Sequence, residues 1–399
     1  MKPQKKSKVK SQESRVIALR PLTICFLVFG YLWTSCVRAP EIEKKTEAQK
    51  PEISSAQKHY SFGCEYLKNR MYDDAIKNFE LAIEESTAYV DAYIGLGSAY
   101  RGKNEFGETE LVYEKMIKIA PLKGHYALGK LYTDLGKYES ALSEYREILR
   151  IDSSYADAWY GMGYVYENID SLPGAIENYK QALKFDPKNE SVRYSLAKTY
   201  VLHGEYEEGI KELKDLKSTH PEDLDVRREL GCAYLGLKRY NEAREEFTYI
   251  TQRSPRDIAN RIKLGIACEG LKDYKSAIQA YEEAISIDTT NIVSYCYLTN
   301  LYIELGNLAK ASQLLEAAKR INPDSQLLHY ISGTIWVKKG DDSFKQKNYD
   351  SSISSYNSAI SEYELALKGE DQELVSDAKE AIKSAESKLK RAKDEKWWH

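Results

Sequence analysis

The chain has 399 residues, 42% of them apolar and 30% charged, with a formal net charge of −3. That composition supplies a core and excludes a disordered chain, a collagen and a multi-pass membrane protein, while six cysteines are too few for a disulfide-built scaffold. Length alone predicts two or three globules, but 32 tyrosines and only 10 prolines are unusual counts, and both recur periodically.

The first element is a leader. Lys2, Lys5, Lys6, Lys8, Lys10, Arg15 and Arg20 stand against one acid, Glu13, and an uncharged run follows from Pro21 to Val37, most apolar over Ile24–Trp33. A basic head before about a dozen apolar residues is the layout of an export signal. The 17 uncharged residues lie at the short limit for spanning a bilayer. The run ends in Leu32-Trp33-Thr34-Ser35-Cys36, which resembles a bacterial lipobox with Cys36 as the lipidated residue; Trp33 departs from the leucine of that motif. An uncleaved anchor and ordinary cleavage stay open beside lipidation. All three leave the basic head in the cytoplasm and carry everything after residue 37 across the membrane. Residues 1–36 therefore read as a leader or anchor, and the chain as membrane-associated and extracytoplasmic, in the envelope or periplasm if bacterial. Residues 37–55 are charged, contain Pro40 and Pro51 and lack apolar periodicity. They read as a flexible tether with a reach of about 25 Å.

From residue 56 a period of 34 sets in. Pro187, Pro221 and Pro255 are 34 apart, Pro323 lies two periods further on, and Pro121 is two residues out of phase. Between them one pattern returns: Trp159-x2-Met162-Gly163-x2-Tyr166, then Ala175, Tyr179, Ala182 and Pro187; and again Leu230-Gly231-x2-Tyr234, then Tyr240, Ala243, Phe247, Ile250 and Pro255. On these residues the chain resembles the tetratricopeptide repeat (TPR) family. The family frame starts repeats at 56, 90, 122, 156, 190, 224, 258, 292 and 333, covering residues 56–366. The second repeat is two residues short, and seven extra residues before the ninth read as about two further turns on its first helix. The resemblance implies an all-α fold, a superhelix (α-solenoid) of about nine helical hairpins with a concave groove, each hairpin burying its apolar face on its neighbours.

Three columns carry the packing. Gly63, Gly97, Gly129, Gly163, Gly231, Gly265 and Gly340 recur, with Ala197 and Thr299 as exceptions. Each helical glycine costs about 1 kcal/mol against alanine, a cost returned by close approach of the paired helix, whose facing column (Ala75, Thr109, Ala141, Ala175, Gly209, Ala243, Ala277, Ala311, Ser352) is small throughout. Aromatic columns account for 18 of the 32 tyrosines as packing. The prolines stop the second helices. Residues 367–399 read as a capping helix and tail, with Leu374, Ala378, Ala381, Ile382, Ala385, Leu389 and Ala392 at helical spacing and Trp397-Trp398 at the close.

Nothing in the pattern names a reaction. No histidine pair has metal spacing, and His59 and His125 fall in a packing column. Cys64, Cys232, Cys268 and Cys296 are staggered on separate first helices, without Cys-x-x-Cys, and read as small packing residues. Gly95-Leu96-Gly97 and Gly161-Met162-Gly163 lack the preceding strand and third glycine of a dinucleotide site. The expectation is a non-enzyme with no cofactor, no metal and no small-molecule substrate. Charge points away from nucleic acid too: residues 1–36 hold seven basic side chains against one acid, which leaves −9 on the remainder.

Function is then expected in the groove. In the family, first-helix positions 2, 5, 6, 9, 12 and 13 face the concave side. Here position 5 gives Tyr60, Tyr126, Tyr160 and Tyr194; Tyr297 joins at position 6 and Tyr164 at position 9, with Lys130 and Lys198 also at position 9. Tyrosine offers large contact area and a polar tip at low entropy cost. These eight residues are the predicted groove, taking a partner protein's extended peptide or helix; the alternative is that some rings pack on the neighbouring first helix. The lysine–asparagine clamp of chaperone-binding TPRs is missing, since those positions read Tyr60/Cys64, Tyr126/Lys130 and Tyr160/Tyr164. The asparagine ladder of the O-GlcNAc transferase superhelix is missing as well. The resemblance implies a membrane-tethered scaffold in envelope assembly or secretion; a self-assembling structural module and an accessory subunit of an enzyme complex remain alternatives.

Overall fold

The computed structural model describes residues 54–398; the leader, Cys36 and all but the end of the 37–55 tether lie outside them. Among the described residues there are nineteen helices and no strand. Eighteen form nine hairpins. These are α1 (Ser55–Lys68) with α2 (Tyr72–Glu85), α3 (Val90–Gly102) with α4 (Phe106–Ile117), α5 (Pro121–Asp134) with α6 (Tyr138–Ile151), α7 (Ala156–Asn168) with α8 (Leu172–Phe185) and α9 (Glu190–His203) with α10 (Tyr206–Thr219). There follow α11 (Leu224–Gly236) with α12 (Tyr240–Arg253), α13 (Ile258–Gly270) with α14 (Tyr274–Ile287), α15 (Ile292–Glu304) with α16 (Leu308–Ile321) and α17 (Gln326–Lys345) with α18 (Tyr349–Ala366). Helix α19 (Gln372–Trp398) closes the stack.

Every hairpin turns through one residue with φ between 57° and 85°, and in six of the nine that residue is not glycine: Arg70, Asn104, Asp170, Lys238, Lys272 and Lys347. The left-handed residue lets the amide after it bond back to a carbonyl five residues earlier, closing the helix end. Ser171 N reaches Tyr166 O at 2.9 Å and Arg239 N reaches Tyr234 O at 2.8 Å. At the other end of the hairpin, the residue before Pro187, Pro221, Pro255 or Pro323 leaves the helix with φ from −120° to −141°, a conformation that suits a following proline and that Ser86, Asp152 and Asp288 adopt without one. Pro121 departs from that role. It occupies the first turn of α5, where a missing N–H costs nothing, so in the shortened second repeat the proline starts a helix instead of stopping one. The freed carbonyls of Pro187, Pro221 and Pro255 accept from Arg193, Arg227 and Arg261 at 2.8 to 3.0 Å, fastening each second helix to the next first helix.

Inside each hairpin a ring fills the place where the glycine column has no side chain. A Cβ on Gly63, Gly97, Gly129, Gly163, Gly231, Gly265 or Gly340 would come within 3.0 Å of Phe79, Tyr113, Tyr145, Tyr179, Phe247, Tyr281 or Tyr356 respectively. Each of these rings follows the small column by four residues, one helical turn. Ser352 of that column donates to Gly340 O at 3.0 Å, so the small column touches the glycine backbone while the ring covers the bare Cα. Where the glycine is replaced, by Ala197 and Thr299, the ring is replaced too, by the buried Leu213 and Leu315. Gly95 and Gly161, the first glycines of the two Gly-x-Gly pairs, press on Phe79 and Tyr145 from the following hairpin.

First helices of neighbouring repeats pack on one another, α1 on α3, α5 on α7, α9 on α11 and α15 on α17 among them, more closely than any two second helices do. The first helices therefore line the inner side of the stack. At the C-terminal end α19 buries Val375, Ala378, Ala385 and Ala392, and Lys388 ties it to Asp341 at 2.7 Å. Leu374, Ala381, Ile382 and Leu389 of the expected stripe are half-buried. Trp397 and Trp398, at 85% and 80% exposure, stand free of the stack.

Candidate interaction groove

All eight predicted groove residues sit on first helices: Tyr60 on α1, Tyr126 and Lys130 on α5, Tyr160 and Tyr164 on α7, Tyr194 and Lys198 on α9, and Tyr297 on α15. Their surroundings differ. Tyr164 (46% exposed), Tyr297 (37%) and Lys130 face solvent, whereas Tyr60, Tyr126, Tyr160 and Tyr194 are half-buried. Three of the half-buried rings lean on the core ring of their own second helix, and two of these, Tyr60 and Tyr126, also meet a ring at the entry to the next first helix. Ring centres are 5.9 Å apart for Tyr60 and Phe79, 6.1 Å for Tyr126 and Tyr145, and 5.6 Å for Tyr160 and Tyr179. Tyr297 stacks on Tyr281 of the preceding hairpin at 5.6 Å. Each such ring has one face against the core and offers its remaining surface to the groove.

Three of the phenols, Tyr60, Tyr126 and Tyr194, are held in the protonated form. Burial pushes Tyr194 up to about 12, with Glu229 and Asp225 adding to it. Tyr60 also rises to about 12, through its hydrogen bond with Cys64 first, then burial and the nearby Asp91. Burial raises Tyr126, and Asp157 raises it further. Tyr160 and Tyr194 share a cleft of about 440 Å³ with Glu190, His220, Asp223 and Asp225.

The two lysines separate in role. Lys198 is engaged: its Nζ lies 2.9 Å from Glu167 Oε1, and the second oxygen of Glu167 accepts the hydroxyl of the core ring Tyr179 at 2.9 Å. A chain of polar contacts thus runs from the hairpin interior to the groove surface and on to the next repeat. Lys130 makes no ion pair among the described residues and is free to meet a partner. Deeper in the groove Glu229 is half-buried; burial raises its pKa while Lys263 and Lys198 oppose the rise.

Four exposed aliphatic side chains on first helices were missed by a search confined to aromatic and basic types: Ile94 (39%), Leu202 (56%), Val293 (49%) and Leu327 (38%). Ile94, Leu202 and Val293 hold positions 5, 13 and 2 of their repeats, so the position frame alone would have found them. Two further tyrosines were missed, Tyr89 and Tyr155. They precede α3 and α7, and their rings lie 5.1 Å from Tyr60 and 6.3 Å from Tyr126.

Cysteine and histidine need correction in part. Cys268 and Cys296 are buried packing residues, but Cys64 is exposed and Cys232 is half-buried with the Lys263 ammonium 3.1 Å from its sulfur. His125 is more than packing, since its Nδ1 lies 2.7 Å from Glu144; His329 does the same with Glu362, which Lys319 also binds. Burial disfavours the Glu362 carboxylate, but those hydrogen bonds outweigh it and hold its pKa below the ordinary range. Among the described residues no group of three or more His, Cys, Asp or Glu side chains is placed to hold a metal ion, and no helix is long and apolar enough to cross a membrane.

Comparison with known proteins places the repeats in a family. A model described as TPR repeat matches residues 129–170 and 171–204; two described as tetratricopeptide repeat match 194–258 and 229–292, and 269–331. Together they cover about half of the chain. No curated protein matches it. Among solved structures, it is similar to a tetratricopeptide repeat protein from Parabacteroides merdae ATCC 43184, at 18% identity over 62% of this chain and 99% of that one, with a TM-score of 0.42. It is also similar to MamA from Desulfovibrio magneticus RS-1, at 19% identity over 43% and 97% with a TM-score of 0.42.

Proposed function

The chain belongs to the tetratricopeptide repeat family, and from that premise we propose that it is a non-enzymatic scaffold which binds a partner protein's peptide or helix in the groove of its first helices. The observation that carries the reading is the row of half-buried tyrosines and exposed aliphatic side chains on those helices. Rings anchored from behind are pre-ordered for contact, and the exposed aliphatic side chains on the same helices add apolar surface beside them. End-to-end self-assembly is disfavoured by α19, which covers the stacking face of the last hairpin.

A photo-crosslinking amino acid at Tyr164 or Leu202 is expected to capture a protein in cells, while the same group at Glu177 or Lys211, exposed on second helices, captures none. Equal capture from both faces, or none from the groove, overturns the reading.

We further propose that the array is held at a membrane outside the cytoplasm, through Cys36 and the 37–55 tether, in envelope assembly or secretion. Support comes from the basic leader, the lipobox-like residues before Cys36 and the charged tether that follows. A radiolabelled fatty acid is expected to enter the chain and to be lost in Cys36→Ser. Label that survives this substitution sinks the lipid anchor.

A further inference from the structure

Two places along the groove repeat the same three residues at the same spacing. Tyr60, Tyr89 and Asp91 form the first; Tyr126, Tyr155 and Asp157 form the second. In each, the second tyrosine follows the first by 29 residues and the aspartate by 31. The fold brings them together: the first tyrosine lies mid-helix, the second is the residue entering the next first helix, and the aspartate sits in that helix's first turn. The rings of Tyr60 and Tyr89 are 5.1 Å apart and inclined by 44°; those of Tyr126 and Tyr155 are 6.3 Å apart and inclined by 56°. Phe79 and Tyr145 back the first ring of each pair, so each tyrosine–aspartate set, or notch, is a braced ring surface with a carboxylate beside it.

The carboxylates at the notches are exposed and nearly unneutralised. Asp157 makes no hydrogen bond or ion pair among the described residues, and Asp91 has only a 3.9 Å contact with Lys123. Both are close enough to act on the tyrosines: burial and then the aspartate raise the pKa of Tyr89 and of Tyr155. The junction between them lacks the set, with Ile94 and Lys123 in its places, and so does the junction after the second, with Tyr160, Asn189 and Ser191. A ring pair with a bare carboxylate at its edge is complementary to a cation on an apolar stem. The stem covers ring surface, the head meets the carboxylate, and the ring faces attract the charge. The −9 carried beyond residue 36 favours the same sign of partner.

We propose that the N-terminal half of the groove recognises a basic segment of the partner protein, seating one arginine or lysine side chain in each tyrosine–aspartate notch. This rests on the groove being the docking face and specifies what docks there.

The test uses the purified full chain and fluorescence anisotropy with labelled glycine–serine peptides carrying two arginines on spacers of graded length. Matched sets carry citrulline or glutamate instead. At least one arginine spacing is expected to bind, with its citrulline and glutamate counterparts about tenfold weaker or more. Asp157→Asn and Tyr155→Ala each weaken the arginine peptide about three- to tenfold, whereas Tyr155→Phe keeps the affinity, because ring face and not hydroxyl makes the contact. Circular dichroism melts establish that the variants are folded. No binding at any spacing, equal binding of glutamate peptides, or arginine binding indifferent to Asp157→Asn and Tyr155→Ala overturns the proposal; the last outcome marks a general attraction to an acidic array. The two readings fail separately. A groove crosslink to an acidic or apolar segment leaves the groove function standing and removes this inference, while absence of any groove crosslink removes the function itself.

Discussion

Gly163→Ala destabilises the array by about 1–3 kcal/mol, although the same change in an open helix stabilises by about 1 kcal/mol. The sign is reversed by one contact. A Cβ at residue 163 comes within 3.0 Å of the Tyr179 ring, and that ring has nowhere to go: it is fully buried, its hydroxyl is bonded to Glu167 at 2.9 Å, and Tyr160 lies on it with centres 5.6 Å apart. Tyr179→Leu alone costs about 3 kcal/mol, for the vacated volume and the lost hydrogen bond.

The two changes together cost less than their sum by about 1–3 kcal/mol, because the protein already contains the double variant. Its fifth hairpin has Ala197 and Leu213 at the equivalent places, both buried without clash, and its eighth has Thr299 and Leu315. Adding Glu167→Val and Ala175→Gly completes the likeness to the fifth hairpin, where Val201 and Gly209 stand in those places. Urea unfolding of the four chains of the Gly163–Tyr179 cycle measures the coupling. Costs that simply add, within about 0.5 kcal/mol, would show that the glycine and the ring are independent.

The same cycle shows what was legible in the sequence. Nine hairpins and a cap follow from a 34-residue period because each hairpin is a local structure, fixed by a glycine, a small residue and a closing tyrosine or proline in one repeat. The coupling was legible too, as two columns that change together, but a column-by-column reading treats them as separate. The twelfth position of the repeat carries a third partner. It is polar (Arg101, Thr133, Glu167, Glu269) in the hairpins whose ring is Tyr113, Tyr145, Tyr179 or Tyr281, and apolar (Leu67, Val201, Leu235, Ile303) where the ring position holds Phe79, Leu213, Phe247 or Leu315; the ninth hairpin departs, with Phe344 at this position and the Tyr356 hydroxyl bonded to Asp341 instead. A position assigned to ligand contact by the family frame is thus partly answerable to a tyrosine hydroxyl.

Other features had no local mark. Nothing in the types of Arg70, Lys238 or Lys272 announces a left-handed turn; they adopt it because the two helices they join are packed. The pairing of Lys198 with Glu167 spans 31 residues and two hairpins, so a lysine that looked free in the sequence is engaged in the fold. Exposure of the groove tyrosines was undecided for the same reason, since it depends on which core ring stands behind each one.

The larger loss comes from a single carboxylate. Glu246→Leu destabilises by about 3–5 kcal/mol, the cost of leaving the buried Arg227 cation without its counter-charge. Glu246 on α12 is 3% exposed and binds Lys217 of α10 and, at 2.8 Å, Arg227 of α11, so one side chain joins three helices across the boundary between the fifth and sixth hairpins. Arg227 cannot retreat to water. It is 8% exposed, lies 3.5 Å over the Tyr249 ring and donates to the Pro221 carbonyl. Glu246→Gln, which keeps the shape and an acceptor, costs less. Glu144→Leu costs about 1 kcal/mol, since it removes one hydrogen bond to the His125 ring and strands no arginine or lysine.

Because a solenoid is stabilised only through nearest neighbours, damage at this junction uncouples hairpins one to five from six to nine. Denaturant unfolding of Glu246→Leu is expected to split into two steps, and hydrogen exchange to quicken first over α10, α11 and α12. The groove is cut at the same place: Tyr160, Tyr164, Tyr194 and Lys198 stand before the junction and Tyr297 after it. A partner that spans the groove therefore loses affinity in Glu246→Leu, while a short probe of the Tyr126–Asp157 notch does not. Unfolding in one step at a cost below about 1 kcal/mol would show the Glu246 cluster to be no stronger than a surface ion pair.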